Sequence, residues 1–221
     1  TKVLRNSFLC LAIFAAPVFA QSPLIRYGDK VPAEVELMYD RGLSWLVQHQ
    51  DPRGAWDGGD QGITAICLMA LLASGEDPNF GRYSTTVRRA ARYLILNQDG
   101  KSGYIGESMY HHGFATLALA ECYGAMDDTL LWDGSEKESQ RRSIGEALDM
   151  AVRCAVTSQN NNQWGGWRYS PGATDADTSV SGAVLMGMLA ARNAGIEVPD
   201  TAVEKALAYF KQSTGPNGMV A

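Results

Sequence analysis

The sequence is poor in the residues that build metal, redox and nucleic-acid sites. It has three histidines and four cysteines in 221 residues. Cys10 lies in an apolar leader, and Cys67, Cys122 and Cys154 lie in apolar helix-like stretches. An odd remainder does not suggest a disulfide framework, no Cys-x-x-Cys or His-Cys spacing suggests zinc, and the three read as small buried core residues. His111-His112 has no third ligand at a suitable spacing, so neither a metal nor a cofactor is expected. No Lys/Arg run is present and the formal charge is −5, which argues against a nucleic-acid partner. The β-branched residues are scattered, so no strand is expected. What remains is ordinary for a globular chain, 46% hydrophobic and 19% charged, and long enough for one domain with a real core.

The first twenty residues differ from the rest. Lys2 and Arg5 precede an apolar run from Phe8 to Phe14, and Val18-Phe19-Ala20 fits a small-x-small cleavage rule before Gln21. The run is too short for a comfortable membrane span. The expected organisation is therefore a signal peptide over 1–20, a linker over 21–31 and a repeat domain over 32–221. Export to the periplasm or the extracellular space is expected, with no stable membrane span once the signal is removed. The chain starts with Thr rather than Met, so sequence is expected to be missing there.

Four helix-like segments end near a glutamine and run into a Gly-containing turn. Gln50 leads to Gly54-Ala-Trp56, Gln98 to Gly103-Tyr104, Gln159 to Trp164-Gly165-Gly166-Trp167, and Gln212 to Gly215-Pro-Asn-Gly218. A period of about 50 residues marks a repeat in which each unit is one helical hairpin stacked on the next. Two kinds of helix alternate. Segments such as Ile63–Ala73, Phe114–Tyr123 and Val180–Ala194 are apolar nearly all round and rich in small residues. Segments near Val87–Ile95, Ile144–Thr157 and Asp200–Gln212 are amphipathic and rimmed with charge. In a concentric arrangement the first kind forms an inner ring and the second an outer one. Polar residues from Asp127 to Ser139 read as an inserted loop.

Aligning Gly62-Ile63-Thr64 with Gly113-Phe114-Ala115 and Ser179-Val180-Ser181 puts Asp60, His111 and Asp177 at equivalent inner-helix entries. There they either cap free N–H groups or face a shared cavity.

The turn Gln50-x-x-x-Gly54-x-Trp56 is the QxxxGxW pattern, and this chain resembles the squalene–hopene cyclase and oxidosqualene cyclase family within the prenyltransferase and squalene oxidase repeat proteins. Gly103-Tyr104 and Gly166-Trp167 look like degenerate copies. Gly165-Gly166-Trp167-Arg-Tyr169 followed by Asp175-Ala-Asp177-Thr178-Ser179 resembles the segment that leads into the cyclase DxDD acid motif. The resemblance covers about Pro32 to Gly218. It implies an all-α fold, an α/α toroid (partial α/α barrel) of helical-hairpin repeats. It also implies proton donation by Asp177, supported by Asp175, with Thr178 where the family has its last Asp.

Protonating an alkene demands a strong carboxylic acid with a coupled neighbour, and a threonine supplies no charge to that pair. Tyr104, Trp164 and Tyr169, together with Asp60 and His111, are the candidate substrate-lining residues, since aromatic faces suit an isoprenoid or a carbocation. The chain lacks the zinc ligands of a protein prenyltransferase and the Cys-Gly-Glu-Gln of a thioester domain. Three functions fit: an exported terpene-cyclase-like enzyme acting on a polyisoprenoid, a non-catalytic exported toroid that binds or scaffolds, and a secreted polysaccharide lyase. For the lyase, Arg168 and Asp175 alone do not make a basic or metal site. A fourth turn with no inner helix after it makes an incomplete ring the expectation, closed by further sequence or by a second chain.

Overall fold

Asp60, Ser108 and Asp177 each present a side-chain oxygen to the free N–H groups of the turn that follows, and a helix starts at each. These three helices form the middle of the structure. The computed structural model describes residues 31–134 and 136–220, and divides into two units, Thr1–Tyr39 and Asp40–Ala221. The expected signal peptide, and all of the linker but Val31, lie outside the described residues.

Seven α-helices are described: α1 (Ala33–His49), α2 (Gln61–Leu72), α3 (Ser84–Leu96), α4 (Met109–Tyr123), α5 (Ile144–Gln159), α6 (Thr178–Asn193) and α7 (Asp200–Ser213). Helix α1 begins in the first unit and runs into the second. Among the described residues there are no strands, only two isolated bridges, Gln98 with Ile105 and Thr214 with Val220. The architecture is all-α, with repeat-like packing. Helices α2, α4 and α6 lie in a row with α4 at the centre, and α3, α5 and α7 pack along the row's back.

The row is tight because glycines let backbones meet. A Cβ at Gly113 would lie 2.6 Å from the Ala183 carbonyl carbon, and one at Gly187 would lie 2.7 Å from the Gly113 carbonyl oxygen. The small-residue character of these helices thus serves the α4–α6 crossing. Behind the row, fully buried Leu68, Leu94, Leu119, Leu148 and Met188 fill the space between layers.

Each flanking helix is tied to the next by one glutamine. The Gln50 Nε2 donates to the Gly54 carbonyl (3.0 Å) and to the Thr86 carbonyl (2.9 Å). Gln98 does the same with Gly103 (3.0 Å) and Ala147 (2.8 Å). Gln159 does it with Gly165 (2.6 Å) and Ala202 (2.8 Å). One amide therefore fixes its own turn and grips the first turn of the next flanking helix. Gly54, Gly103 and Gly165 all have positive φ. A Cβ there would drive into the backbone carbonyl of Arg89, Met150 or Lys205 respectively, so glycine is required twice over.

Tyr83 and Pro199 occupy the N-cap positions of α3 and α7, so Ser84 and Asp200 lie in first turns. A capping box forms at Ser143 and Glu146, at the start of α5. The inserted loop holds two 3-10 turns, Asp128–Leu130 and Glu138–Gln140. The fourth turn is closed by Gly215 N–H to the Met219 carbonyl (2.7 Å) and Gly218 N–H to the Gly215 carbonyl (2.9 Å). This repeats the first turn, where Asp51 N–H meets the Ala55 carbonyl and Gly54 N–H the Asp51 carbonyl. Thr214, not Gln212, therefore occupies the glutamine position, and Gln212 is exposed on α7.

Candidate functional site

The candidate residues gather where the central helices begin. At α2, Asp60 Oδ1 accepts the Ile63 N–H at 2.7 Å. At α6, Asp177 Oδ1 accepts the N–H groups of Ser179 (2.9 Å) and Val180 (3.0 Å) and the Ser179 hydroxyl (2.6 Å). At α4 the cap is Ser108, whose hydroxyl oxygen accepts the His111 N–H. The equivalent trio is thus Asp60, Ser108 and Asp177. The alignment through Gly113 placed His111 in the trio because it treated that glycine as a helix-entry marker. In the fold Gly113 marks the crossing with α6 instead.

One turn inside each cap a second polar residue stitches the preceding loop to the helix. Thr64 Oγ1 accepts the Trp56 N–H (3.2 Å), His112 Nδ1 the Ile105 N–H (3.2 Å) and Ser181 Oγ the Trp167 N–H (2.8 Å). Ile105, not Tyr104, therefore holds the position of Trp56 and Trp167. With Nδ1 accepting, His112 carries its proton on Nε2, which donates to the Ala151 carbonyl at 3.0 Å. Burial lowers the His112 pKa to about 4, against a smaller opposing effect of the Ala151 bond. This histidine is neutral and structural.

His111 lies at a different register but still reaches Asp60. Its Nδ1 accepts the Glu107 N–H (3.1 Å), which turns Nε2 toward Asp60 Oδ2 at 3.6 Å. Both side chains are partly exposed. Gly62 makes room for this pair, since a Cβ there would lie 2.6 Å from the imidazole.

The loop before α6 carries the other candidates. Asp175 pairs with Arg168 at 3.3 Å, and the same guanidinium lies 5.3 Å from the centre of the Tyr169 ring. The Tyr169 carbonyl accepts the Met109 N–H (2.9 Å), which ties this loop to the start of α4. Trp164 and Tyr169 are half exposed. Thr178 is the first residue of α6. Tyr104 lies against His112, ring centres 5.5 Å apart, with its hydroxyl buried and its pKa pushed up to about 12 by burial.

The electrostatics of Asp177 matter most for chemistry. Its hydrogen bond from the Ser179 hydroxyl, then that from the Val180 N–H, holds the carboxyl below the usual range, with Arg168 adding to the effect. An acid held in its charged form by three donors is the opposite of one poised to release a proton to an alkene.

A feature not singled out by sequence is the solvent-facing side of the central row. Ile63 and Ile66 on α2 and Met186 and Leu189 on α6 are exposed. Between them Tyr110, Phe114 and Leu117 of α4 are partly exposed, spaced as one helical stripe. Counting from each cap puts Met69, Leu117 and Met186 at one level. Met69 and Leu117 also line a cleft of about 310 Å³ between the C-terminal halves of α2 and α4, with Leu72, Pro78 and Ala125. The stripe was legible as residues on the polar side of a 3.6 period that are not polar. It was hidden because nearly every position of these helices is apolar.

Among the described residues no group of His, Cys, Asp and Glu is arranged to hold a metal, and no helix is long and apolar enough to cross a membrane. In comparisons with known proteins, the chain matches no family model and no solved structure.

Proposed function

We propose that the chain is a terpene-cyclase-like repeat module of the α/α-toroid type that binds an apolar, isoprenoid-like ligand along its central-row face without protonating it. The observation that carries this reading is a contrast within one layer. The face of the row is apolar from Ile66 through Phe114 and Leu117 to Met186, while the residue in the acid position, Asp177, is spent on capping α6. Long unbranched or isoprenoid chains have little to offer but apolar area, and such a face recognises them by burial. The twofold grip of each glutamine turn supports the toroid part of the proposal, because it repeats the same step from one hairpin to the next. Export directed by residues 1–20 belongs to the same proposal, and the N-terminal sequence of the mature protein tests it.

The test is equilibrium binding of a tritiated polyprenol and of squalene, with products extracted and analysed by mass spectrometry. The reading expects saturable binding, no new product, binding lost in Leu117→Asp and binding retained in Asp177→Asn. A cyclic product that disappears in Asp177→Asn would make the protein a cyclase and overturn the non-catalytic part. Absence of binding would leave a scaffold role and overturn the ligand.

A further inference from the structure

We propose that a partner protein docks in the groove between α5 and the start of α7, inserting an extended segment that carries an apolar side chain beside a lysine or arginine. The groove has a volume of about 440 Å³ and is lined by Asp149, Val152, Arg153, Val156, Glu197 and Pro199. All of these belong to the larger unit. The same place one joint earlier is filled, and its filling shows what such a groove holds. Six places before the turn glutamine stand Arg92 on α3 and Arg153 on α5, and three places before it stand Ile95 and Val156. At α3 the inserted loop lies against these residues. Arg92 Nη1 meets Asp133 and Glu136 Oε1, the latter at 3.3 Å. Arg141, just before α5, donates through Nη2 to the Glu136 carbonyl at 2.7 Å. Glu136 therefore spans from α3 to the chain that enters α5. There Ile95 is fully buried and the Arg92 side chain is only 15% exposed. At α5 the Arg153 side chain is 76% exposed and pairs with Asp149 of its own helix at 2.6 Å, and Val156 is only partly buried.

The two joints differ because their connections differ. Residues 124–143 join α4 to α5 and carry the inserted loop, whereas residues 194–199 alone join α6 to α7. That short connection is described throughout, and it supplies only the rim of the groove, Glu197 and Pro199. A further hairpin would stack beyond α7, where Leu207 is exposed, by the step that the earlier joints repeat. It would leave this groove open.

Charge selects the occupant. The filled groove is basic at Arg92 and Arg141, and it holds a glutamate. In the open groove Asp149 already neutralises Arg153. Glu197 stands two places before the N-cap of α7, as Arg141 stands two places before that of α5, and it is exposed with no ion-pair partner among the described residues. The remaining lining, Val152, Val156 and Pro199, is apolar. Such a groove holds an apolar side chain by burial and a cation by charge, and the formal charge of −5 draws a basic segment toward it. The inserted loop of a second copy would bring Asp133 and Glu136, which carry the wrong charge for Glu197.

The experiment is fluorescence anisotropy of the full chain with two labelled peptides. One is residues 130–137 of this sequence unaltered, and the other is the same peptide with Asp133→Lys and Glu136→Lys. The expected result is saturable binding of the lysine peptide, at least about tenfold tighter than that of the unaltered one. Glu197→Arg gives the groove the charge of its filled counterpart and should reverse that preference. Val156→Glu should weaken the lysine peptide about tenfold, as for loss of an apolar anchor. Glu76→Arg makes the same charge change at an exposed site on another loop and should leave the preference as it is. Reversal by Glu197→Arg itself reports a folded variant, and circular dichroism checks the other two. No saturable binding, a preference that Glu197→Arg does not alter, or a preference that Glu76→Arg alters equally would each overturn the proposal. Self-association of the wild type that the lysine peptide dissolves would also overturn it, in favour of a second copy.

Discussion

The first and third turns solve one packing problem with tryptophan, and the second solves it with histidine. In the first, the Trp56 indole N–H donates to the Leu46 carbonyl (2.9 Å) and Thr64 holds the loop N–H. In the third, Trp167 donates to the Ala155 carbonyl (2.8 Å) and Ser181 takes the role of threonine. Both indoles point back to the carbonyl four residues before the glutamine. The second turn has Ile105, which has no donor. His112 takes the hydroxyl's place, accepts the loop N–H through Nδ1 and donates through Nε2 to the Ala151 carbonyl of α5. The larger imidazole and the smaller isoleucine fill a comparable joint, and Tyr104 closes over the imidazole. The repeat therefore preserves a joint with a fixed set of satisfied backbone groups, not a particular side chain. One of its three versions carries a titratable group.

The largest expected break in this comparison is Trp167→Ala. The ring is fully buried and its N–H is bonded, so the loss in urea unfolding should be about 3–5 kcal/mol. The next is a pH effect confined to the second joint. His112 takes up a proton near its ordinary pKa of about 6.5 in the unfolded chain but only at about 4 when folded. The unfolded state thus binds more protons between those values. Stability is complete above the window and falls as the pH drops through it, by on the order of 3 kcal/mol in all. Urea midpoints measured from pH 7 to pH 4 check this. The double change Ile105→Trp with His112→Thr should convert the second joint to the type of the first and remove that dependence.

A smaller effect is expected from Gln98→Leu, which leaves the Gly103 and Ala147 carbonyls without their donor. Denaturant unfolding should show a loss of about 1–3 kcal/mol. The smallest contrast separates capping from acid chemistry at α6. Asp177→Ala should cost about 1 kcal/mol of stability, while Asp177→Asn, which can still accept from the helix N–H groups, should cost only a few tenths in the same assay.

Much of this was legible along the chain. The alternation of helix types, the glutamine turns and the capping aspartates at Asp60 and Asp177 follow from local patterns, because periodicity and caps are short-range. The second and fourth repeats misled for a physical reason. Loop length between turn and cap varies, so Gly113 resembles a helix entry while Ser108 holds the cap, and Gln212 resembles the turn glutamine by residue type while the turn's closure puts Thr214 in that position. Only hydrogen bonding reveals which residue stands at a joint. The candidate site was legible as residue types, but not as partners. Nothing local says that Arg168 reaches Asp175, that His111 reaches Asp60 across two helices, or that Tyr104 turns inward onto His112.

The sequence by itself determined an all-helical chain with a hairpin period, since apolar spacing and turn glycines act within a few residues. The tertiary structure alone decided that Asp177 serves as a cap in its charged form, that the central row leaves an apolar face uncovered, and that His112 takes the place of a hydroxyl in the second joint. Each of these depends on which groups from distant segments compete for the same donor or the same area, and that competition exists only after the hairpins have stacked.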